Sequence, residues 1–376
     1  MCTTNVWRLV ESGGAVPEPR KNHSAVLVYS KLVIFGGVGV GEDGAVRRFN
    51  DVWSLDTDTM TWTRLDVQGD IPCGRDGHTM SAIGTKLYMF GGWTGPPGAD
   101  GDAGESYKND LYVLDIKSLV WQRQHLSGSA PSPRKLHTAT VVEADQRIII
   151  IGGYSIDRRV NDVHVIDLKN SHYNQPEVKG NLPQIRSAHT AVLIERSIFV
   201  FGGFGKGNVA LNDFRSLDIG FFRWSLPAIG GREPDLTQAR GGHGVAVIGS
   251  QVIHFGGSAG RKCHDNMIVL DTESELNRMR KRYAFMREHY PGIFESFKVA
   301  SSHGVPQCRW RSGLPFISEL PFTHEIANPT TDASGKIANK SSGEKLFLLA
   351  DWSRFRFDTT FRLEQHPSFA NVFLVL

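Results

Sequence analysis

This sequence has few residues suited to redox chemistry or metal binding, and it has no long apolar run. Its four cysteines are scattered, and none forms a Cys-x-x-Cys pair: Cys2, Cys73, Cys263 and Cys308. This usage predicts neither a zinc site nor a disulfide framework, and it is typical of a reducing compartment. The first residues hold no apolar core of signal-peptide length, and no apolar run approaches a membrane span. The composition predicts a soluble protein of the cytoplasm, with the nucleus as a second location, and no membrane partner.

An excess of one charge is also lacking. The formal net charge is +3, from 42 Lys and Arg against 39 Asp and Glu. This balance gives no global electrostatic basis for nucleic acid as a partner. The sequence also lacks a G-x-S-x-G motif, a phosphate-binding loop, an H-E-x-x-H motif and the protein-kinase motifs. We therefore predict no enzymatic activity and no cofactor.

Glycine is abundant, with 40 residues, and five Gly-Gly pairs recur along the chain. Each pair follows four apolar residues, mostly β-branched or aromatic, which are typical of a short strand buried on both faces. Glycine suits the end of such a strand because it permits positive φ and a close neighbouring backbone. The pairs are Gly36-Gly37, Gly91-Gly92, Gly152-Gly153, Gly202-Gly203 and Gly256-Gly257. Steps of 55, 61, 50 and 54 residues indicate one supersecondary unit per repeat.

Other residues recur at fixed places around the glycine pairs. Upstream, an arginine precedes a histidine by three positions: Arg20 and His23, Arg75 and His78, Arg134 and His137, Arg186 and His189, Arg240 and His243. Strand-like runs follow these histidines: Ser24–Tyr29, Thr79–Ile83, Thr138–Glu143, Thr190–Ile194 and Val245–Ile248. Downstream, an alternating strand begins at Asp51, Asp110, Asp162, Asp213 and Asp265. A fourth strand opens at Trp62, Trp121 and Trp224, with Tyr173 near that place in the third repeat.

Each repeat is thus predicted to form a four-stranded antiparallel meander. One such sheet cannot hide both faces, whereas sheets stacked radially around an axis can, as in a β-propeller. Residues 7–271 resemble the Kelch repeat family through these five copies of a multi-part pattern. The resemblance implies an all-β Kelch-type β-propeller, with five clear repeats and either five or six blades. It also implies that the matched Arg, His, Asp and Trp residues serve packing and hydrogen bonding between strands and blades.

The resemblance carries expectations about function as well. It implies a protein–protein interaction module, either a scaffold or a substrate-recognition adaptor. The expected partner is a protein or an acidic peptide, and ubiquitin-ligase components are one branch that the family allows. The alternative is a metal-dependent enzyme of the Kelch-like propeller class, with its site at the central channel. Metal analysis of the purified protein separates the two, because a stoichiometric redox metal would favour the enzyme.

The start of the chain predicts how the propeller closes. Trp7 precedes Arg20 at the same distance as Trp62 precedes Arg75, so it is placed like a fourth strand without its first three. The last recognisable repeat has three strands and no tryptophan strand. We expect the Trp7 strand to complete that last blade, because an open ring would leave unpaired strand edges.

The repeat pattern ends at Asp271, and residues 272–298 predict an amphipathic helix. Thr272-Glu273-Ser274-Glu275 matches a helix capping box, and Pro291-Gly292 ends the helical pattern. The apolar face consists of Leu276, Met279, Tyr283, Met286 and Tyr290. We favour a helix docked on the propeller with a solvated basic face, and the alternative is a nuclear-import or acidic-partner helix.

Residues 299–376 read as an irregular extension with three open alternatives. Asn328–Gly343 is polar and turn-rich, which favours a loop or disorder. Lys345–Trp352 and Phe355–Leu363 could supply strands of a degenerate sixth blade. Phe369–Leu376 resembles the first strand of a BTB domain, which would be cut off here.

Two groups of residues offer metal ligands in principle. The five repeated histidines lie on different blades of the predicted ring, so we expect each to satisfy a buried backbone group instead. Asp100–Glu105 holds three carboxylates, but it lacks the length and the terminal carboxylate of a calcium-binding loop. No metal site is predicted.

The loops after the glycine pairs emerge on one face of a propeller and are the predicted binding surface. Those of repeats three to five hold five basic residues against the single acid Asp157, whereas the first two loops are net acidic. Arginines beside aromatic residues in these loops favour binding of an acidic peptide or of a chain-end carboxylate, through charge-assisted hydrogen bonds. The candidate partner-binding residues are Trp93, Tyr154, Arg158, Arg159, Phe204, Lys206, Arg261 and Lys262.

Overall fold

The described part of the chain forms five blades of like design, each built on an antiparallel sheet and numbered one to five in chain order. The structure is a computed structural model, and it describes residues 12–41, 44–96, 106–227 and 239–289. Two compact units divide the chain, Met1–Pro306 with Ser368–Leu376 and Gln307–Pro367, and all described residues belong to the first. The predicted all-β propeller is confirmed.

The strand bounds follow the repeat closely. Blade one and its linkers use β1 (Gly13–Gly14), β2 (Arg20–Lys21), β3 (Ser24–Val28), β4 (Lys31–Phe35), β5 (Val38–Val40), β6 (Val46–Arg48), β7 (Val52–Asp56) and β8 (Thr61–Leu65). Blade two uses β9 (Gln68–Gly69), β10 (Thr79–Ile83), β11 (Lys86–Trp93), β12 (Tyr107–Asp115) and β13 (Val120–Gln124). Blade three uses β14 (Ser127–Gly128), β15 (Thr138–Val142), β16 (Arg147–Ser155), β17 (Arg158–Asp167) and β18 (His172–Asn174).

The remaining strands complete the last two blades. Blade four uses β19 (Lys179–Gly180), β20 (Thr190–Ile194), β21 (Ser197–Phe201), β22 (Phe214–Asp218) and β23 (Arg223–Ser225). Blade five uses β24 (Gly244–Ile248), β25 (Gln251–Phe255), β26 (Ser258–Ala259), β27 (Lys262–Cys263) and β28 (Met267–Asp271). In blades one to four, a two-residue strand from the preceding linker pairs in parallel with the outermost strand. Blade five has three strands in its main sheet.

The first strand of each blade lies innermost. These strands are neighbours in the order β3, β10, β15, β20, β24, and all five line one cavity of about 50 Å³. The second strand of each blade packs outside the first, and in blades one to four it is largely buried, as its continuous apolar run predicts. Ile148–Ile151 is at most 2% exposed, for example. The five glycine-terminated strands therefore surround a shared axis.

The glycine pairs of blades one to four lie at the contact with the next blade. Gly91 has φ +67°, and a Cβ added to it would lie 2.9 Å from the Arg134 carbonyl oxygen of the next blade. The Gly92 amide donates to that same carbonyl at 2.9 Å. Any larger side chain at the first position would push the two blades apart, which explains why the repeat requires glycine there.

The repeated arginines are buried and paired inside their own blade. Arg134 is fully buried and donates to both carboxylate oxygens of Asp162, at 2.7 and 2.8 Å, and to the Gly152 carbonyl at 3.0 Å. Asp162 consequently has a lowered pKa, although burial alone would raise it. In blade five Asn266 replaces the carboxylate and accepts from Arg240 at 2.9 Å. These contacts agree with the structural role that the repeat implies for arginine and aspartate.

The repeated histidines join neighbouring blades. Nε2 of the last four lies near a hydroxyl on the innermost strand of the preceding blade: His78 to Ser24 at 2.7 Å, His137 to Thr79 at 2.9 Å, His189 to Thr138 at 3.0 Å and His243 to Thr190 at 2.8 Å. The Nε2 partner is therefore a side-chain hydroxyl and not the backbone group that the sequence analysis predicts. The role is structural, as predicted.

A chain of backbone hydrogen bonds also runs from blade to blade beside these histidines. The residue before each histidine has positive φ, and its amide donates to the matching carbonyl of the preceding blade. The bonds run from Gly77 to Asn22, Leu136 to Gly77, Ala188 to Leu136 and Gly242 to Ala188. One uninterrupted arc thus links all five blades.

The predicted helix is present as α1 (Glu273–His289). Leu276 and Met286 are buried, and the Tyr283 hydroxyl donates to Asp218 Oδ1 at 2.6 Å at the end of β22. The capping box is only partly correct. Thr272 donates to the Ser250 carbonyl, and Glu275 accepts from Ser216 and Arg278 instead of reaching back to the helix start.

Several predictions lie outside the described residues. These are the Trp7 closure, the Asp100–Glu105 loop, and the loop, sixth-blade and BTB alternatives beyond residue 299. Tyr290 and Pro291 also fall there, so the predicted end of α1 is not described. Within the described ranges, no helix combines the length and apolar character needed to cross a membrane.

Candidate functional site

The hairpins after the glycine pairs all project from the same end of the sheets. In blades two and three, the residue after the glycine pair lies opposite a residue of the following strand: Trp93 opposite Tyr107, and Tyr154 opposite Arg159. It also bridges to the residue that follows the repeated arginine, which is Asp76 for Trp93 and Lys135 for Tyr154. Helix α1 contacts blade four at the opposite end of its strands, near Glu195 and Asp218. The hairpin end is therefore clear of α1.

Six side chains interleave across this end, and we call them the cation–aromatic ladder. They are Arg48, Trp93, Lys135, Tyr107, Tyr154 and Arg159. The Arg48 guanidinium lies 4.1 Å from the Trp93 ring centroid, and Lys135 Nζ lies 3.9 Å from it. Three cations thus meet three aromatic rings at distances suited to cation–π attraction.

The ladder continues through its tyrosines. The ring centroids of Trp93 and Tyr107 lie 6.2 Å apart, and those of Tyr107 and Tyr154 lie 6.1 Å apart. The Arg159 guanidinium then lies 5.4 Å from the Tyr154 ring. Because these contacts cross from blade to blade, one continuous surface connects blades one, two and three.

Hydrogen bonds hold the two ends of the ladder. Arg48 Nε donates to Asp76 Oδ2 at 2.8 Å. Arg159 Nε donates to Ser187 Oγ at 2.9 Å, and its Nη2 donates to Asn208 Oδ1 in the hairpin of blade four. Both arginines reach from one blade to the next, so their planar groups are positioned before any ligand arrives.

The ladder keeps a net positive charge. Asp76 is its single close carboxylate among the described residues, against Arg48, Lys135 and Arg159. Burial lowers the pKa of the Lys135 ammonium, the Arg48 charge lowers it further, and Asp76 partly offsets both. Desolvated cations with unused hydrogen-bonding capacity favour an anionic ligand, since an added carboxylate would relieve the mutual repulsion.

A polar cavity of about 430 Å³ adjoins the ladder at blade one. It is lined by Arg47, Arg48 and Arg64 together with Glu18 and Asp51. Asp51 is engaged with Arg20, at 2.5 Å, and with Trp53 Nε1, at 2.6 Å. Arg48 belongs both to the ladder and to the cavity lining, so arginine side chains connect the two.

The structure brings together some of the predicted site residues and not others. Trp93, Tyr154 and Arg159 belong to the ladder. Phe204 bridges to Ser187 and Ala210, and its ring lies against Gly241 at the next blade. Arg158 is exposed opposite Ser155, and Lys206 is exposed in the short 3-10 turn that also holds Asn208. Arg261 and Lys262 are exposed at the β26–β27 hairpin, away from the ladder contacts.

Sequence reasoning missed three members of the ladder as binding residues. Lys135 follows the repeated Arg134, and the corresponding residues elsewhere are Lys21, Asp76, Ser187 and Gly241. The residue after the repeated arginine varies in charge from blade to blade, whereas the arginine and the histidine beside it repeat. That variation was the signal in the sequence that could have identified Lys135. Tyr107 and Arg48 lie opposite the residue after the glycine pair, on the return strand of the hairpin.

The described residues offer no metal-binding geometry. In residues 12–41, 44–96, 106–227 and 239–289, no three His, Cys, Asp or Glu side chains converge closely enough to hold a metal ion. The buried histidines instead face hydroxyls of neighbouring blades, as described above.

The chain is similar to several known propeller proteins. Residues 38–224 match the family model described as FBX42, beta-propeller domain. Host cell factor 1 of Rattus norvegicus is 28% identical over 291 residues, which cover 70% of this chain and 14% of that protein. Acyl-CoA-binding domain-containing protein 4 of Arabidopsis thaliana is 30% identical over 294 residues, covering 76% and 41%. Kelch domain-containing protein 10 of Rattus norvegicus is 31% identical over 241 residues, covering 60% and 54%.

The chain spans only part of these relatives, from 14% of host cell factor 1 to 54% of Kelch domain-containing protein 10. The matched propeller model covers residues 38–224, a range that includes the repeated arginines and histidines of blades two to four. The repeats, the matched propeller model and these relatives together show that the chain belongs to the Kelch-repeat β-propeller family.

Proposed function

We propose that this propeller is a protein-interaction module that binds an acidic segment of a partner protein across the cation–aromatic ladder. The observation that carries the proposal is the placement of Arg48, Lys135 and Arg159 against three aromatic rings over blades one to three. Carboxylates would bind the outer edges of the cations, while aromatic faces contribute apolar area at little entropic expense.

The surroundings of the ladder support this choice of ligand. The exposed basic residues Arg158, Lys206, Arg261 and Lys262 extend the positive charge toward blades four and five. The arginine-lined cavity extends it past blade one. A segment that follows the hairpin end of the propeller would therefore meet basic side chains on blade one and on blades three to five.

We propose more specifically that this interaction module acts as a scaffold or as a substrate-recognising adaptor. It is supported by the match to the propeller domain of FBX42 and by the similarity to host cell factor 1. Ubiquitin-ligase components are one class of partner for such an adaptor. Cys73 and Cys263 form no disulfide among the described residues, which supports a reducing compartment, and for this chain that would be the cytoplasm or the nucleus.

Charge-neutral ladder variants test the proposal. The full chain serves as bait, and the recovered proteins are quantified by mass spectrometry for the wild type and for a Lys135→Gln, Arg159→Gln double variant. We expect the specific partners to fall at least tenfold with the double variant, and raised salt to release them from the wild type. Recovered partners should carry exposed runs of Asp and Glu.

The matched control is a Lys86→Gln, Lys117→Gln double variant. It removes the same charge from exposed residues at the opposite end of blade two. Partner recovery should equal that of the wild type. Equal losses in both variants would point to net charge alone, and no loss in the ladder variant with an intact fold would contradict the proposed site.

A further inference from the structure

Lys135 is the one cation of the ladder that lies against aromatic rings without a hydrogen-bond acceptor among the described residues. Its Nζ lies 3.9 Å from the Trp93 ring centroid and 5.6 Å from that of Tyr107. Within the described part of the chain, the ammonium group makes no ion pair and no side-chain hydrogen bond. An ammonium group in this position has exchanged water for ring faces, which solvate it less well.

The carboxylate nearest in electrostatic effect, Asp76, is already engaged by another cation. Its Oδ2 accepts from Arg48 Nε at 2.8 Å, and its side chain is almost fully buried. The Arg48 guanidinium lies 4.1 Å from the Trp93 ring, which Lys135 also contacts. Two cations therefore share one ring and one carboxylate, and the hydrogen bond to that carboxylate belongs to the arginine.

The backbone and the stem of Lys135 are held in place. The Lys135 amide donates to the Tyr154 carbonyl at 2.9 Å, and the Tyr154 amide donates to the Lys135 carbonyl at 2.8 Å. The Lys135 Cβ packs on Gly77 of the preceding blade, 3.1 Å from where a Cβ on that glycine would lie. The side chain therefore runs from blade three to the rings of blade two, where its amine is only partly buried.

These surroundings favour the neutral amine over the ammonium ion. Burial lowers the pKa of Lys135, Asp76 partly offsets that effect, and the Arg48 charge lowers the pKa further. The ring faces attract the ammonium ion and so oppose the shift in part. The neutral amine is the form that attacks electrophilic carbon, and a desolvated lysine beside another cation is activated in this way.

We propose that Lys135 is a site of covalent acylation, whose amine reacts with an activated acyl ester or thioester. Nζ attacks the acyl carbonyl carbon, and a C–N bond forms. The bond from that carbon to the leaving oxygen or sulfur breaks, and the leaving group takes the electron pair. The amine proton passes through solvent to the leaving group. The product is a neutral amide, so the reaction removes one of the three positive charges of the ladder.

Lys21 is the matched comparison because it occupies the same place in blade one. It follows the repeated Arg20 as Lys135 follows Arg134, and it pairs with Val38 of the blade-one hairpin. Its side chain is exposed and makes no ring contact with a described residue. The two lysines thus share a place in the repeat and differ in the aromatic surroundings of the amine.

Site-resolved labelling of the full chain tests the proposal. The native protein is treated briefly with N-succinimidyl acetate at several pH values, and mass spectrometry gives each rate relative to the exposed Lys117. We expect Lys135 to react about threefold or more faster than Lys21 at neutral pH, and to reach its maximal rate at a lower pH. A rate at Lys135 no higher than that of Lys21, or the same pH dependence at both, would overturn the proposal.

Arg48→Gln tests the source of the activation. This variant removes the neighbouring charge and leaves Asp76 available to pair with Lys135, so the Lys135 rate relative to Lys117 should fall by about threefold or more. Arg123→Gln is the control, because it removes the same charge from an exposed place on β13 and should leave the ratio unchanged. Circular dichroism verifies both folds. An unchanged ratio in Arg48→Gln, or equal falls in both variants, would overturn the activation by the ladder.

The effect of acylation on partner binding rests on the proposed function. Acetyl-lysine incorporated at position 135 alone should lower the recovery of acidic partners by about threefold or more, because it removes charge from the ladder. Fast labelling of Lys135 with unchanged partner recovery would support the acylation site and contradict the ladder as the binding surface. Slow labelling, with partners lost from the Lys135→Gln, Arg159→Gln variant, would overturn the acylation site alone.

Discussion

At the residue scale, the buried arginines are the side chains whose loss the blades would tolerate least. Each donates several hydrogen bonds at once in a buried place, so truncation removes all of them together. The repeat alone predicted that these arginines are structural. It could not show that Arg134 serves a carboxylate and two carbonyls at once, because those partners come from three separate segments.

Arg134→Met should lower the free energy of unfolding by about 3–5 kcal/mol, because it leaves the Asp162 carboxylate without its buried partner. The measurement is guanidinium-induced unfolding followed by fluorescence. Arg123→Met on β13 is the control, since Arg123 is exposed, and it should change stability by less than about 0.5 kcal/mol. Similar losses for the two variants would contradict the structural role of Arg134.

Gly152→Ala should destabilise the protein more than Gly207→Ala, by about 1–3 kcal/mol. Both glycines have positive φ, so the backbone strain of alanine is common to both. The difference reports the contact with the Arg186 carbonyl, 2.9 Å from the added Cβ of Gly152. Thermal unfolding of the two variants measures it, and equal melting temperatures would mean that the blade junction adapts freely.

At the element scale, helix α1 is held by specific polar contacts as well as by its apolar face. The Tyr283 hydroxyl donates to Asp218, and burial together with that carboxylate raises the tyrosine pKa. Glu275, predicted to cap the helix, is instead buried beside Ser216 of blade four. A local pattern locates a helix start, but it cannot reveal that a tertiary partner will take the capping side chain.

Tyr283→Phe should lower the free energy of unfolding by about 2 kcal/mol, because Asp218 loses a hydrogen bond in a buried place. Hydrogen exchange should also become faster in α1 than in the blades. Tyr29→Phe is the control, since Tyr29 is 78% exposed. Unchanged exchange in α1 would show that its apolar face alone secures the helix.

The contacts between hairpins could be predicted only in part from the sequence. Trp93, Tyr154 and Arg159 could be selected because they lie in or beside the repeated glycine pairs. Lys135 could not be linked with Trp93, because the two lie on different blades and meet only after register shifts such as the one between Phe90 and Gly92. The repeat therefore predicts each blade well, and it predicts poorly which side chains meet between blades.

At the scale of the whole molecule, five buried histidines make stability depend on pH. Burial lowers their pKa, to about 3 for His78 and His189, about 2 for His243 and about 4 for His254, and His137 also lies well below its usual value. The folded protein keeps them neutral, while the unfolded chain binds protons below about pH 6.5. Stability is then complete above that pH and falls as the pH drops toward the folded values.

Each of these histidines should reduce stability by about 2 kcal/mol between pH 7.5 and pH 5. Denaturant unfolding at pH 7.5, 6 and 5 measures the loss. His243→Gln should make the dependence shallower by about one proton, even if it lowers stability at neutral pH. Stability that stays constant across this range would contradict the neutral, buried state of the histidines.

The arc of amide-to-carbonyl bonds beside the axis has a direction, much as a polar filament has two unlike ends. One end presents the Asn22 amide and the other the Gly242 carbonyl, so a unit can join only in one orientation. Adding one complete blade preserves every amide-to-carbonyl bond already made. Inserting part of a blade would break this series of hydrogen bonds. Duplication of one module during evolution would therefore enlarge such a protein without disturbing the rest.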